Sequence, residues 1–560
     1  MTLGGEVFNR IRTVLLTALL MGLSGNGLRA NNIKVVSPRI ADHKDDGTAC
    51  VQFDLLWEHS WKDNMRANWD AAWVFIKAYH GDIGEWNHLY IDTDPAAHTY
   101  ASANVPMLMA FPVEKIMGMS RCPGFFIYRR DGGAGPNEIK GIKTKFNYAD
   151  HGYAPTDSII VSVFAIEMVY IPKSTFIAGD GVSTNTLRKI DNDLSVGAGQ
   201  QVWDMGIVKG ETGLTFKGEP IPDVYPKGFE AFYIMKHEIS QHAYVDFLNT
   251  LTQEQQASRV PVKPTAADKS WAMAFGSYTN PSVYRNYIRI RTAAIADVAA
   301  IYGHSIGGTN WDRESNGGNI ACNFLNWDDG LAYLDWAALR PFTELEYEKA
   351  GRGHKRVIRG EMAWGYKAGM PVAATNSFTD AGLASEVAKD PQANYLETGK
   401  APWVMRVGAF AKDSTTRYES GGTYYGVMNM SDNLWERCVN VSTPDGRSFV
   451  PNHGDGYLSM TGTADVDGWP SAAGGGFRSF QISNRQYAEL NETARHPSYG
   501  FRGARSGAGL LITDPSGVKK PDVPTTDETA PDKPEVPDEP DKPDASDKQD
   551  EAIKPEETTE

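Results

Sequence analysis

Ala231-Phe-Tyr-Ile-Met-Lys-His-Glu-Ile-Ser-Gln-His-Ala-Tyr-Val-Asp-Phe-Leu-Asn249 sets the reading of the central chain. Behind Ser240, a residue suited to cap a helix, Tyr244, Phe247, Leu248 and Leu251 recur at helical spacing. A second segment runs from Asn326-Trp-Asp-Asp-Gly to Arg340-Pro-Phe-Thr-Glu-Leu-Glu-Tyr-Glu348. There Thr343 and Glu346 have capping-box spacing, and Phe342 and Tyr347 stand where a hydrophobic staple would join them. Asp328 and Asp329 suit the positive end of another helix. Further on come Gly426-Val-Met-Asn-Met-Ser-Asp-Asn-Leu-Trp-Glu436 and Gly500-Phe-Arg-Gly-Ala-Arg505. Between these segments glycine, asparagine and aromatic residues dominate and periodicity is weak, which predicts a loop-heavy domain.

In order and spacing these segments resemble the formylglycine-generating enzyme, or sulfatase-modifying factor, family. Glu167-Met-Val-Tyr-Ile-Pro-Lys-Ser-Thr-Phe176 and Gly474-Gly-Gly-Phe477 extend the resemblance over Ile166 to Arg505. It implies an α+β domain over 158–514 with a C-type-lectin-like fold and little regular secondary structure.

The resemblance also implies a catalytic cysteine pair after the Gly-Gly segment, whose soft thiolates bind copper(I). Here the first position falls near Ser479 and the second at Ser483 or Asn484. No cysteine occurs between 439 and 560, so copper is not expected and formylglycine generation is disfavoured. The family's serine after Gly-Gly is Gly476 here. The segment Arg478-Ser-Phe-Gln-Ile-Ser-Asn-Arg-Gln-Tyr487 stands in place of the catalytic loop. Its Arg478, Phe480, Gln481, Asn484, Arg485 and Tyr487 are candidate ligand contacts, with inward packing of half of them the alternative.

By the same resemblance, Glu436 and main-chain oxygens of Ser431, Asp432 and Leu434 would hold a structural Ca²⁺, which takes hard oxygen donors. Asp432 replaces the family's usual glycine. His237 and His242 flank Glu238 but miss the one-turn spacing of a zinc motif. The histidine cluster of the iron-dependent relatives is not evident either. A nucleophile elbow and a P-loop lysine are absent.

Outside this region, Ile33-Lys-Val-Val-Ser, Cys50 to Trp57, Ala72 to Tyr79 and Gly124 to Arg129 read as strands between turn-rich stretches. They predict a small all-β sandwich over 31–157. Trp57, Trp61, Trp69, Trp73 and Trp86 there serve core packing in preference to a carbohydrate platform. Residues 1–30 read as an export signal, with Arg10 and Arg12 before an apolar run too short to span a bilayer. Export favours two disulfides among Cys50, Cys122, Cys322 and Cys438. Pairing within each region is the simplest of three connectivities, and buried free thiols are the alternative.

The formal charge of -15 is concentrated in the last forty residues, where 15 acidic side chains face 4 lysines. The remainder carries no basic footprint for nucleic acid. Residues 515–560 form a Pro-rich acidic segment too polar to fold alone. The reading is an exported, non-catalytic recognition or structural protein of the cell envelope with an unidentified surface or extracellular ligand and no membrane span after signal removal. A formylglycine-generating or related oxidase with an altered site is the alternative, and sugar binding by the N-terminal sandwich a third.

Overall fold

Ala71 to Ile76 is an unbroken apolar run because both faces of its strand are buried. Ala72, Val74, Ile76 and Ala78 enter a core with Val51, Phe53, Leu55 and Phe146. Ala71, Trp73 and Phe75 enter a second core with Phe247, Leu248, Trp336 and Leu339, far along the chain. One strand thus serves two cores through the two-residue alternation of side chains.

The computed structural model describes residues 33–81, 83–180, 206–208, 215–216, 219–311, 316–366, 378–388, 404–411, 416–431, 433–478 and 481–516. The expected export segment lies outside the described residues, as does the acidic segment beyond 516. Its main strands are β1 (Lys34–Ala41), β2 (Thr48–Asp63), β3 (Asn68–His80), β4 (Glu85–His88), β5 (Met107–Phe111), β6 (Phe125–Arg129) and β7 (Gly133–Asn147). Then follow β8 (Ile159–Ile171), β9 (Phe232–Met235), β10 (Ile288–Thr292), β11 (Ile301–His304), β12 (Trp435–Val439), β13 (Gly475–Arg478), β14 (Ala504–Ser506) and β15 (Leu511–Thr513).

These elements make a mixed fold, with antiparallel strands predominating and few helices. A 12-stranded sheet runs across the boundary expected at 157/158. β8 pairs with β3 from Ile159 to Val169 and with β9 from Met168 to Ile171, and β9 pairs in turn with β14. β15 returns to pair with β5. Side chains join the two halves further. Asp70 on β3 accepts from Ser60 Oγ and the Trp61 amide, each at 2.8 Å, and lies 3.4 Å from Lys236 Nζ. Trp73 Nε1 donates to Ala337 O at 2.8 Å. Trp57 and Trp73 are core residues, while Trp61, Trp69 and Trp86 are partly exposed.

The helices are α1 (Gln241–Leu248), α2 (Gln253–Arg259), α3 (Trp327–Trp336) and α4 (Glu344–Arg352). Ser240 caps α1 through the Ala243 amide, and Asp328 and Asp329 open α3. Thr343 and Glu346 exchange both capping-box hydrogen bonds at the start of α4, with the Phe342 and Tyr347 rings stacked 6.1 Å apart. Among the described residues no helix is long and apolar enough to cross a membrane.

The expected disulfides do not form; all four cysteines are free. Strand alternation accounts for the first pair. Ala49, Val51 and Phe53 point into the core that encloses Cys122, so Cys50 lies on the opposite face of β2. Cys322 and Cys438 belong to separate apolar clusters.

Candidate functional site

Helix α4 sets the centre of the site. Glu344, Glu348 and Arg352 are spaced four residues apart, which lines them along one face, and all three are buried. Opposite them, β13 delivers Arg478 by pairing with β12, where Glu436 stands across from Arg478 and Cys438 across from Gly476. Gly476 has no room for the family's serine, since an added Cβ would lie 1.8 Å from Ala488 O.

The chain then turns inward. Arg485 Nε donates to Glu344 Oε2 at 2.8 Å, and Arg485 Nη2 donates to Glu348 Oε2. Ser483 Oγ donates to Glu348 Oε1 at 2.6 Å and accepts from Arg352 Nη2 at 2.5 Å. Arg352 also pairs with Glu361, and the Gly179 amide donates to Glu348 Oε1 at 2.6 Å. Arg478 reaches the Ile482 carbonyl and lies over the Tyr347 ring, 4.9 Å from its centroid. Three carboxylates and three guanidiniums therefore close on one another out of reach of water, which is what burying such charges requires. Burial raises the Glu348 carboxyl, but the Arg485 and Arg352 charges prevail and hold it at about 2.

This places the sequence candidates differently from one another. Arg478 and Arg485, read as ligand contacts, are internal partners of glutamates and are almost fully buried. Local sequence gave no sign of this, because their partners lie more than 130 residues earlier on α4. Gln481, Asn484 and Tyr487 stay partly exposed, with the Tyr487 ring 4.5 Å from that of Trp435. Ser479 and Phe480 lie outside the described residues. Of the cysteine-equivalent positions, Ser483 is inside the ion cluster and Asn484 at its edge. Cys438 is buried beside Glu344, and burial pushes its thiol up, away from the reactive thiolate.

The second candidate is the turn into β12. Ser431 Oγ accepts from the Ala363 amide at 2.8 Å, and Asn433 adopts a left-handed φ of 67°. Glu238 accepts from Asn433 Nδ2 at 2.6 Å and from the Leu434 amide at 3.0 Å. Glu436 Oε1 accepts from Arg502, while the buried Oε2 has no partner. That orphan oxygen is a donor of the kind Ca²⁺ takes. Asp432 lies outside the described residues. His242 is within hydrogen-bonding distance of Asp246 and His304. Among the described residues, no group of three or more His, Cys, Asp or Glu is placed to hold a metal.

No curated protein matches this chain. A family does: residues 182–507 match the sulfatase-modifying factor enzyme 1-like domain. The match takes in α4, β12 and β13, the elements that carry the buried ion cluster and the Glu436 turn, and the chain belongs to the sulfatase-modifying factor family.

Proposed function

We infer that the chain is an exported, non-catalytic recognition or structural protein of the bacterial cell envelope built on this scaffold. The observation that carries the reading is Ser483. At one of the two positions, Ser483 or Asn484, to which the resemblance assigns the second copper-binding thiolate, a hydroxyl both donates to Glu348 and accepts from Arg352 inside a closed ion cluster. With no cysteine between 439 and 560, thiolate ligation has no source in this part of the chain. Gln481, Asn484 and Tyr487 remain as accessible contacts along the loop.

Ca²⁺ is proposed as a structural ligand. Glu436 and main-chain oxygens of Ser431 and Leu434 would hold it, with Asp432 the fourth residue that the resemblance nominates. When bound, it would neutralise the orphan carboxylate oxygen and brace the turn.

The test is incubation of the purified full chain with copper(I), oxygen and a sulfatase-type Cys-x-Pro-x-Arg peptide, read by mass spectrometry. The peptide is expected to keep its cysteine. Conversion to an aldehyde would establish the oxidase alternative and end the non-catalytic reading.

A further inference from the structure

A cleft of about 1490 Å³ opens away from the ion cluster, and none of the described residues of 478–487 lines it. One part of its wall is the β3–β4 hairpin, with Tyr79, Trp86 and Asn87. Another is built from α1, the segment after it and the β10–β11 hairpin, continuing to Trp311. The volume exceeds that of a site for one small molecule, roughly 300–1000 Å³.

Its surface chemistry is specific. Trp86 and Trp311 are both partly exposed. The Trp311 ring packs closely against β11 because residue 303 is glycine; a Cβ there would meet the indole at 2.7 Å, and the Arg291 guanidinium lies 5.9 Å from the ring centroid. Asn87, Asn249, Thr250, Thr252 and Gln253 bring neutral hydrogen-bonding side chains to the same cleft, with Asn249 held by the Tyr302 backbone and Thr252 capping α2. Trp336 Nε1 donates to Thr250 Oγ1 at 2.8 Å, which fixes that side chain. Among the lining residues, the buried hydroxyl of Tyr302, a residue 2% exposed, and the buried Gln253 Oε1 have no partner. A buried donor or acceptor left without a partner is costly to the fold. Among the described lining residues, three basic side chains are matched by four acidic ones. That balance gives no electrostatic pull toward an anion.

We propose that this cleft binds a neutral oligosaccharide. The C–H faces of its rings rest on Trp86 and Trp311, and its hydroxyls, donor and acceptor at once, satisfy both Gln253 Oε1 and the Tyr302 hydroxyl. A charged glycan would meet no compensating field. The site does not depend on whether the family's chemistry survives in this chain.

The test is a glycan array with the full chain, followed by titration of neutral hexasaccharides (maltohexaose, cellohexaose, chitohexaose) monitored by tryptophan fluorescence. At least one neutral oligosaccharide is expected to bind and shift the emission. Trp86→Ala and Trp311→Ala should each weaken it about tenfold. Tyr302→Phe, which keeps the packing and removes only the hydroxyl, should weaken it about fivefold without lowering the melting temperature. Failure of every neutral glycan on the array, affinity untouched by all three substitutions, or selective capture of charged glycans or peptides overturns the proposal.

Discussion

Ser483 and Glu348 share a hydrogen bond of 2.6 Å in a region closed to solvent, and the same hydroxyl receives a hydrogen from Arg352. Ser483→Ala leaves a guanidinium N–H without an acceptor and reduces the bonds to Glu348. The expected cost is about 1–2 kcal/mol of unfolding free energy, measured by urea denaturation. A variant as stable as the parent would mean that the hydroxyl is dispensable and the cluster is held by the ion pairs alone.

Glu348→Gln should cost more. Glu348 faces Arg352 and Arg485 and accepts from Ser483 and the Gly179 amide. Removing its charge takes one of two carboxylate partners from each of two buried guanidiniums, leaving Arg352 with Glu361 and Arg485 with Glu344, and breaking one side of a buried pair typically costs about 3–5 kcal/mol. Guanidinium chloride denaturation reads the loss directly, and a loss below about 1 kcal/mol would contradict the geometry.

Much of this architecture was legible in the sequence, for reasons that differ by residue. The Thr343–Glu346 capping box is a local interaction across three residues, so spacing alone reveals it. The run from Ala72 to Tyr79 announced a strand, though not that its two faces serve two cores, because Phe247, Trp336 and Leu339 of one core lie more than 150 residues away. Arg478 and Arg485 read as surface residues since an arginine is normally exposed unless paired. Their glutamates sit on α4, and no local pattern connects the two segments. Cysteine number suggested disulfides, but the alternation of β2 turns Cys50 away from the core holding Cys122.

Acid should unfold the protein through the same cluster. The Glu348 carboxyl sits at about 2 in the fold against an ordinary 4.5. A carboxyl lowered in the native state binds fewer protons there than in the unfolded chain, so stability rises with pH in that window. The contribution, about 3 kcal/mol, is complete above pH 4.5 and is lost as pH falls toward 2. Equilibrium unfolding between pH 5 and 2 should show this slope in the parent. In Glu348→Gln, already destabilised, the slope should be reduced.

Chelation tests the Glu436 turn. With Oε1 on Arg502 and Oε2 buried without a partner, removal of bound Ca²⁺ would leave an uncompensated acceptor in the core. Protein purified in calcium and then treated with EDTA should melt several degrees lower, and calcium but not magnesium should restore the loss. Identical melting curves would remove calcium from the account of this fold.

Residues 33–157 should not fold by themselves. A fragment ending at 157 loses β8, which pairs with β3 from Asp70 to His80, and β15, which covers Met109 to Phe111. It also exposes Trp73 and Phe75, whose partners Trp336 and Leu339 lie in the central region. Exposure of each large apolar side chain costs about 1.5–3 kcal/mol, and an open, unpaired β3 edge invites aggregation. The fragment is therefore expected to be insoluble or to lack near-ultraviolet circular dichroism, whereas 33–516 should melt in a single transition. A soluble 33–157 fragment with native-like spectra would show instead that the shared sheet joins two independently stable bodies.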